Sequence, residues 1–434
     1  MSSGSAWMRY ERLTLSAEDP DEPGRTAARL RALVPSGEAV HTTVSEIIAA
    51  VRSGGDGAIG ELTRRLDTGG SEPPSLRVGE RALDRALQRL SAPVREGLEV
   101  AIANVGEVAR VATGPVRLAV PLHRHRITLR EVPVGRAGIY VPGGRAAYPS
   151  SVVMGVVPAR VAGVQEVAVC SPPGSDGELN QTILAACRLT GASVVYRMGG
   201  AQAIAALAFG TESVAAVDVI AGPGNLYVQE AKRQVFGQVG IDGFAGPSDL
   251  MVIADGDVDA EPLALDLLAQ AEHGPGTLVI AISSSPELLA ELEARIARAP
   301  STGALARLIN VADSAQALGL AQAFAPEHLQ LVGDRSEALA PAVTHAGCLF
   351  VGAAAGTAFG DYVAGSNHTL PTGGAARFAC ALSPAHFRRS FSEVRIEDAA
   401  GELARAGAPI ARAEGFELHA RSMEIRIRDN DQRT

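Results

Sequence analysis

Gly138-Ile139-Tyr140-Val141-Pro142-Gly143-Gly144, a helix-like run from Ser150 to Ala162, and then Glu166-Val-Ala-Val-Cys-Ser171 set the pattern that decides the fold. A short apolar strand runs into glycines, a helix follows, and a second apolar strand begins. The theme repeats downstream. Pro172-Pro-Gly174 breaks the second strand, and a helix from Gln181 to Leu189, a strand from Ser193 to Arg197 and Gly199-Gly200 follow. A helix from Gln202 to Phe209, a strand from Ala216 to Ala221, the turn Gly222-Pro-Gly-Asn225 and a helix through Lys232 complete the series. Uninterrupted apolar strands alternating with helices predict a mostly parallel sheet covered on both faces.

A second series opens after Ser248, with a strand over Leu250–Ala254, a helix over Pro262–Ala271, a strand over Thr277–Ile282 and a helix over Pro286–Ala297. Strands near Leu329 and Leu349 extend it. The expected fold class is therefore α/β, with two Rossmann-like parallel-sheet domains, neither carrying the Gly-x-Gly-x-x-Gly dinucleotide fingerprint. Residues 1–37, polar and rich in Pro, Gly and acidic groups, read as an N-terminal arm or short helix. Residues 38–133 with 247–385 form the expected main α/β domain, 134–246 the second, and 386–434 a C-terminal region. Within 38–133, Val44, Ile47, Ile48, Val51, Ile59, Leu62 and Leu66 recur at helical spacing, and Thr128–Val134 reads as a strand. A helix is expected from about Gly401 to His419, and the strict alternation of Met423-Glu-Ile-Arg-Ile-Arg428 predicts a half-buried strand.

Composition narrows the function classes. With 434 residues the chain is long for one core, and its formal net charge of -9 argues against a general nucleic-acid binder or attraction to an anionic membrane. Phosphate can still be held by helix N-termini without net positive charge. Cys170, Cys187, Cys348 and Cys380 form no Cys-x-x-Cys pair and sit in apolar stretches, which predicts reduced core residues. No apolar run approaches the ~20 residues of a membrane span, and the first residues lack the apolar centre of a signal peptide. A cytoplasmic protein is expected.

The chemistry-bearing residues gather after position 245. Gln270 and His273 are three apart on one helix face and can reach a single ion. Asp361 follows Phe359-Gly360 in a Gly-rich loop. His419 sits in the late helix, and Glu414, five residues earlier, lies about 140° from it around a regular helix. Imidazole and hard oxygen donors without thiolate suit a catalytic zinc site. Glu327-His328, after Pro326, is a candidate proton-transfer pair, provided an irregular turn aims both side chains at one cleft. Asn367-His368-Thr-Leu-Pro-Thr372 is a loop dense in hydrogen-bonding groups.

Gly138-Ile-Tyr-Val-Pro-Gly-Gly144, Gly199-Gly-Ala-Gln-Ala-Ile-Ala-Ala-Leu-Ala208, Ala221-Gly-Pro-Gly-Asn225, Ala245-Gly-Pro-Ser248, Gln270-Ala-Glu-His273, Pro326-Glu-His-Leu329, Gly365-Ser-Asn-His-Thr-Leu-Pro-Thr372 and Glu414 to His419 occur in order. With them the chain, from about residue 40, resembles the histidinol dehydrogenase family. The resemblance implies an NAD-dependent, zinc-containing enzyme oxidising L-histidinol through histidinal to L-histidine, with one zinc per subunit. Gln270, His273, Asp361 and His419 match the zinc ligands, and Glu327 and His328 the proton-transfer pair. Ser248, Gln270, His273, His328, Asp361, His368, Glu414 and His419 fall at substrate positions, and Tyr140, Gln202 and Asn225 match NAD contacts. The resemblance also implies a homodimer whose C-terminal regions cross, so that Glu414 and His419 serve the neighbouring site. His345 and Phe416 depart from the family pattern. A related zinc and NAD dehydrogenase acting on another small alcohol is the alternative, and a zinc hydrolase a third reading of the same donors.

Overall fold

A computed structural model describes residues 7–16, 18–34, 37–114, 117–143, 146–244 and 246–427. Gly144, Ala245 and Arg428, each part of a segment singled out above, lie outside the described residues.

The two expected parallel sheets are present in one compact unit, comprising residues up to 112 and 134–387. In the five-stranded sheet, Arg136–Tyr140 is central. Glu166–Ser171 and then Val194–Arg197 lie to one side, Val219–Ala221 and then Gly240–Ile241 to the other, all parallel. The six-stranded sheet is built around Asp249–Ala254, with Leu278–Ser283, Leu305–Asn310 and Arg9–Thr14 on one side and His328–Val332 and Cys348–Val351 on the other. Every residue of Asp249–Ala254 and Leu278–Ser283 is buried, as strands covered on both faces must be.

Helix Pro149–Ala162, almost wholly buried, lies close on the central strand at Gly155, where a Cβ would sit 2.3 Å from Ile139 Cγ2. Only glycine permits that approach.

Three placements differ from the sequence reading. The arm is part of the fold: Arg9–Thr14 pairs with Leu305–Asn310 at the sheet edge, and helix Glu22–Arg31 packs on helix Ser314–Phe324. An edge strand this exposed and charged carries no hydrophobic run by which to be recognised. The helices of residues 38–112 cover the five-stranded sheet, contrary to their expected grouping with the main domain. His41–Leu66 packs on Gly200–Phe209, Glu80–Arg89 on Gln181–Thr190, and Ala92–Ala112 on Pro149–Ala162. The apolar stripe from Val44 to Leu62 shares one core with Ile204, Leu207 and Val228, and that burial decides the grouping. The strand expected at Thr128–Val134 is His125–Pro133, and it belongs to a second unit.

That unit comprises residues 113–133 with the described residues from 388 on. Its antiparallel sheet has the order Arg388–Arg395, His125–Pro133, Arg117–Leu122. The expected single helix is two, Ala400–Ala413 and Glu417–Glu424, parted at Gly415 with φ +82°. Of the strand expected from Met423, Met423 and Glu424 instead end the second helix and Ile425 to Ile427 follow it without strand structure. Met423 packs against Ala408, Ala411 and Ala420, so helical spacing prevails over the short alternation. Arg412 forks onto Glu417 and Glu424 and ties the two helices together.

The four cysteines are free, but Cys380 is exposed and Cys348 only half-buried, so just Cys170 and Cys187 are core residues. Among the described residues no helix is long and apolar enough to cross a membrane.

Candidate active site

A cleft of about 420 Å³ lies between the two parallel sheets, at the ends of their strands. On one wall stand Pro142, Ser150, Ser151 and Pro223–Leu226, and on the other Ser248, His273, Glu327, His328, Asp361 and His368.

Glu327 and His328 meet at the start of strand His328–Val332, both buried. The irregular turn they require is present: Ala325, a non-glycine residue, is left-handed at φ +51°. Glu327 Oε2 accepts from Ser248 Oγ and from the Asp249 N–H at 3.1 Å, while the Glu327 N–H donates to Asp249 Oδ1 at 2.7 Å. Burial pushes the Glu327 carboxyl up to about 7, with Asp249 adding to the rise and His328 opposing it.

His328 Nδ1 lies 3.2 Å from the Asp249 carbonyl oxygen, a pure acceptor, so Nδ1 carries a proton and Nε2 faces Asp361 Oδ1 at 3.8 Å. Burial alone would lower the pKa of this ring. The Glu327 and Asp361 carboxylates outweigh it and raise the imidazole to about 9. The ring also stacks on Phe350, with centroids 6.0 Å apart.

Helix Ala260–Ala271 ends at this wall. Gln270, in its last turn, is buried and its Nε2 donates to Ser248 Oγ, while His273 stands just past the end with its ring at the cleft. The protein crowding that ring lowers its proton affinity, with Asp361 partly opposing. Asp361 is held in its ionised form: burial would raise it, but the His328, His368 and His273 rings lower it. His368 Nδ1 donates to the Asp361 carbonyl at 2.8 Å, leaving Nε2 to accept from Ser151 Oγ at 3.2 Å. Burial keeps His368 below the ordinary imidazole range, so it is neutral near pH 7.

His273 and Asp361 offer a neutral imidazole and an ionised carboxylate at the cleft, and Gln270, buried and bonded to Ser248, would add an amide oxygen. That donor set fits a borderline-hard cation, and zinc's usual four ligands leave a position for one more donor. No group of three His, Cys, Asp or Glu able to hold a metal occurs among the described residues. His419 and Glu414, the other predicted members, are exposed residues of the second unit, with the His419 ring 5.2 Å from that of Phe416.

The opposite wall is built from backbone. At Gly222, with φ +121°, a Cβ would lie 2.1 Å from the Tyr140 carbonyl oxygen, so only glycine can make this turn. Buried Lys232 donates to the Gly222 carbonyl at 3.1 Å and pairs with Asp242, which accepts the Gly222 N–H at 2.8 Å. The turn is thus fixed from both sides.

Asn225 lines the cleft, but its Oδ1 caps helix Leu226–Val235 through the N–H groups of Tyr227 and Val228. Tyr140 and Gln202 are not among the described residues that line the cleft; both are buried beneath its wall. The Tyr140 hydroxyl accepts from the Gly200 N–H at 3.2 Å. Gln202 Nε2 lies 3.4 Å from Asp67, whose carboxyl burial raises to about 6, and Gln202 Oε1 has no hydrogen-bond partner among the described residues.

Asp249 and Ser151 belong to the site and were not read from the sequence. Asp249 directly follows Ser248, and adjacency to a recognised residue was the one signal available.

The profile of the family described as histidinol dehydrogenase matches residues 34–427. A histidinol dehydrogenase of Parasynechococcus marenigrum is 46% identical over 401 residues, spanning 89% of this chain and 91% of the relative. One from Pseudomonas syringae pv. tomato is 42% identical over 97% of this chain and 96% of its own length. The crystal structure of histidinol dehydrogenase from Elizabethkingia anophelis superposes with a TM-score of 0.87 at 27% identity, covering 97% of this chain and 98% of that one.

Proposed function

Because the chain belongs to the histidinol dehydrogenase family, and is thereby an oxidoreductase, we propose that it oxidises L-histidinol through L-histidinal to L-histidine, the last step of histidine biosynthesis, using NAD and one zinc ion per subunit. The observation that carries this reading is the pair Glu327 and His328, buried side by side at the cleft with separate hydrogen-bonding positions.

When bound, NAD would supply the hydride acceptor and zinc a Lewis-acidic anchor for the substrate. Gln270, His273 and Asp361 would hold the metal, with His419 of a second subunit completing the set. Glu414, Ser248 and His368 would line the substrate. The chain is accordingly proposed to act as a homodimer.

His328 takes the hydroxyl proton in the first oxidation. Its Nδ1–H is committed to the Asp249 carbonyl, so the proton is received at Nε2, the atom facing the cleft. A cation held by Asp361 would weaken one of the two carboxylate pulls that raise the ring, and with it the ring's hold on a proton at Nε2. Glu327 removes a proton from the water that adds to the aldehyde. Its raised pKa suits a base working near neutrality, and Ser248 and the Asp249 N–H hold the carboxylate in position. The second oxidation then yields the acid.

On the cofactor wall, the N-termini of helices Pro149–Ala162 and Leu226–Val235 meet the cleft at Ser150, Ser151, Asn225 and Leu226, an environment suited to the cofactor's phosphates. Tyr140, Gln202 and Asn225 are the proposed NAD residues, and Gln202 Oε1 is a buried acceptor without a hydrogen-bond partner among the described residues.

The test is stoichiometry. Wild-type enzyme should form two NADH per histidinol and release histidine. Glu327→Gln should oxidise supplied histidinal slower by on the order of a hundredfold or more. A single NADH with histidinal accumulating, or normal histidinal oxidation by Glu327→Gln, would refute the assignment.

A further inference from the structure

Arg31 ends helix Glu22–Arg31, in the segment whose composition suggested an arm or short helix. Its guanidinium reaches three groups behind the catalytic wall. Nη1 pairs with Asp249 Oδ2 at 2.6 Å. Nε and Nη2 donate to the Phe324 carbonyl at 3.1 and 2.6 Å, and Nη2 also donates to the Ala325 carbonyl at 2.9 Å. The plane lies 3.5 Å from the Phe324 ring centroid.

Each of these partners bears on Glu327 and His328. Asp249, wholly buried, accepts the Glu327 N–H with its other oxygen, donates its own N–H to the Glu327 carboxylate, and accepts from His328 Nδ1. Ala325 is the left-handed residue whose turn lets two consecutive side chains serve one cleft, a conformation that is strained for an L-residue. A fork donor over two successive carbonyls, with a second arm on the carboxylate, is geometry that arginine supplies and lysine does not.

We propose that Arg31 is a positioning residue, which fixes Asp249 and the left-handed Ala325 turn and thereby aims Glu327 and His328 into the cleft. This rests on the roles given to that pair above. Arg31 acts through the pair and does not touch the reacting atoms.

The experiment compares Arg31→Lys, Ala325→Gly, their combination and Phe324→Leu in the zinc-loaded, full-length enzyme. Each is assayed separately with histidinol and with histidinal, alongside zinc content and melting temperature. Arg31→Lys should lower kcat in both half-reactions by about 10- to 100-fold, the scale of a misplaced catalytic group. KM for histidinal should stay within about twofold, since the metal-side contacts are intact, and zinc content should be unchanged. Adding Ala325→Gly should restore about fivefold, because glycine takes the left-handed conformation without penalty. Phe324→Leu, a milder change that keeps both carbonyls but removes the ring beneath the guanidinium, should lower kcat a few-fold. It serves as the second probe should Arg31→Lys not fold.

A lowered melting temperature with kcat per zinc-loaded site unchanged would make Arg31 merely structural and overturn the proposal. A kcat loss untouched by Ala325→Gly, or no kcat loss in Phe324→Leu, would overturn the turn-holding role. Wild-type enzyme forming only one NADH would instead defeat the underlying assignment of Glu327, an outcome distinct from any of these.

Discussion

Apart from the edge strand Arg9–Thr14, the two parallel sheets have the same strand order but meet the cleft with opposite ends. In the five-stranded sheet the carboxyl ends of Arg136–Tyr140 and Val219–Ala221 lead into the cleft, at the point where the strand order reverses. That is the usual ligand crevice of an open α/β sheet. In the six-stranded sheet the amino ends of Asp249–Ala254 and His328–Val332 face it. One wall therefore offers helix N-termini and a glycine turn, which favour negative charge, whereas the other offers the C-terminal end of Ala260–Ala271, which favours a cation. In the proposed function the first half grips through backbone and the second reacts through side chains. One topology supports both because function follows the end of the sheet that is used.

The largest expected effect lies on the side-chain wall. His273→Asn and His419→Asn each remove an imidazole donor, and each should weaken zinc binding by on the order of a hundredfold or more, with activity falling alongside. Mixing the two inactive variants under conditions of subunit exchange should restore one complete site per mixed dimer. Undiminished zinc in either variant, or no recovery despite demonstrated exchange, would mean that the metal site is not shared as proposed.

The same wall should carry the pH dependence. Because Glu327 titrates near 7, histidinal oxidation should fall by about tenfold per pH unit below that value. Stability should move the other way. The folded pKa is raised above its usual 4.5, so the protonated form favours folding below pH 4.5 and that advantage is lost as pH rises through about 7. Glu327→Gln should therefore gain in stability relative to wild type between pH 4.5 and 7, as read by denaturant titration at each pH. A constant difference across that window would show that Glu327 is not buried as described.

The backbone wall should respond more mildly and in a different parameter. Gly222→Ala forces a methyl against the Tyr140 carbonyl and shifts the turn, so KM for NAD should rise about tenfold, equivalent to ~1.4 kcal/mol of binding, while kcat at saturating NAD changes little. A kcat loss with KM unchanged would erase the contrast between the two walls.

Much of the candidate site was legible because its residues sit in distinctive local company: Gln270 with His273 at helical spacing, Glu327 beside His328 after a proline, and Asp361 seven residues before His368, although Asp361 lies in the short helix Thr357–Tyr362 and not in the loop expected for it. Asp249 and Arg31 were not legible. Asp249 opens a buried strand, and Arg31 is one of several arginines on a polar helix 218 residues away from its partner. Their roles exist only once Glu22–Arg31 docks on Ser314–Phe324. The break at Gly415 likewise replaces the 140° reading of Glu414 and His419, since no single helix joins them.

The sequence by itself determined the two β/α series, because apolar strands and helical stripes are short-range patterns set by what must be buried. It also determined the family and the residue types of the proposed metal and proton-transfer chemistry. Only the tertiary structure decided which sheet the N-terminal helices cover, that the arm supplies an edge strand, and which end of each sheet faces the cleft. Those depend on contacts between segments far apart in the chain, where many pairings satisfy the same local pattern and burial against one particular partner selects among them.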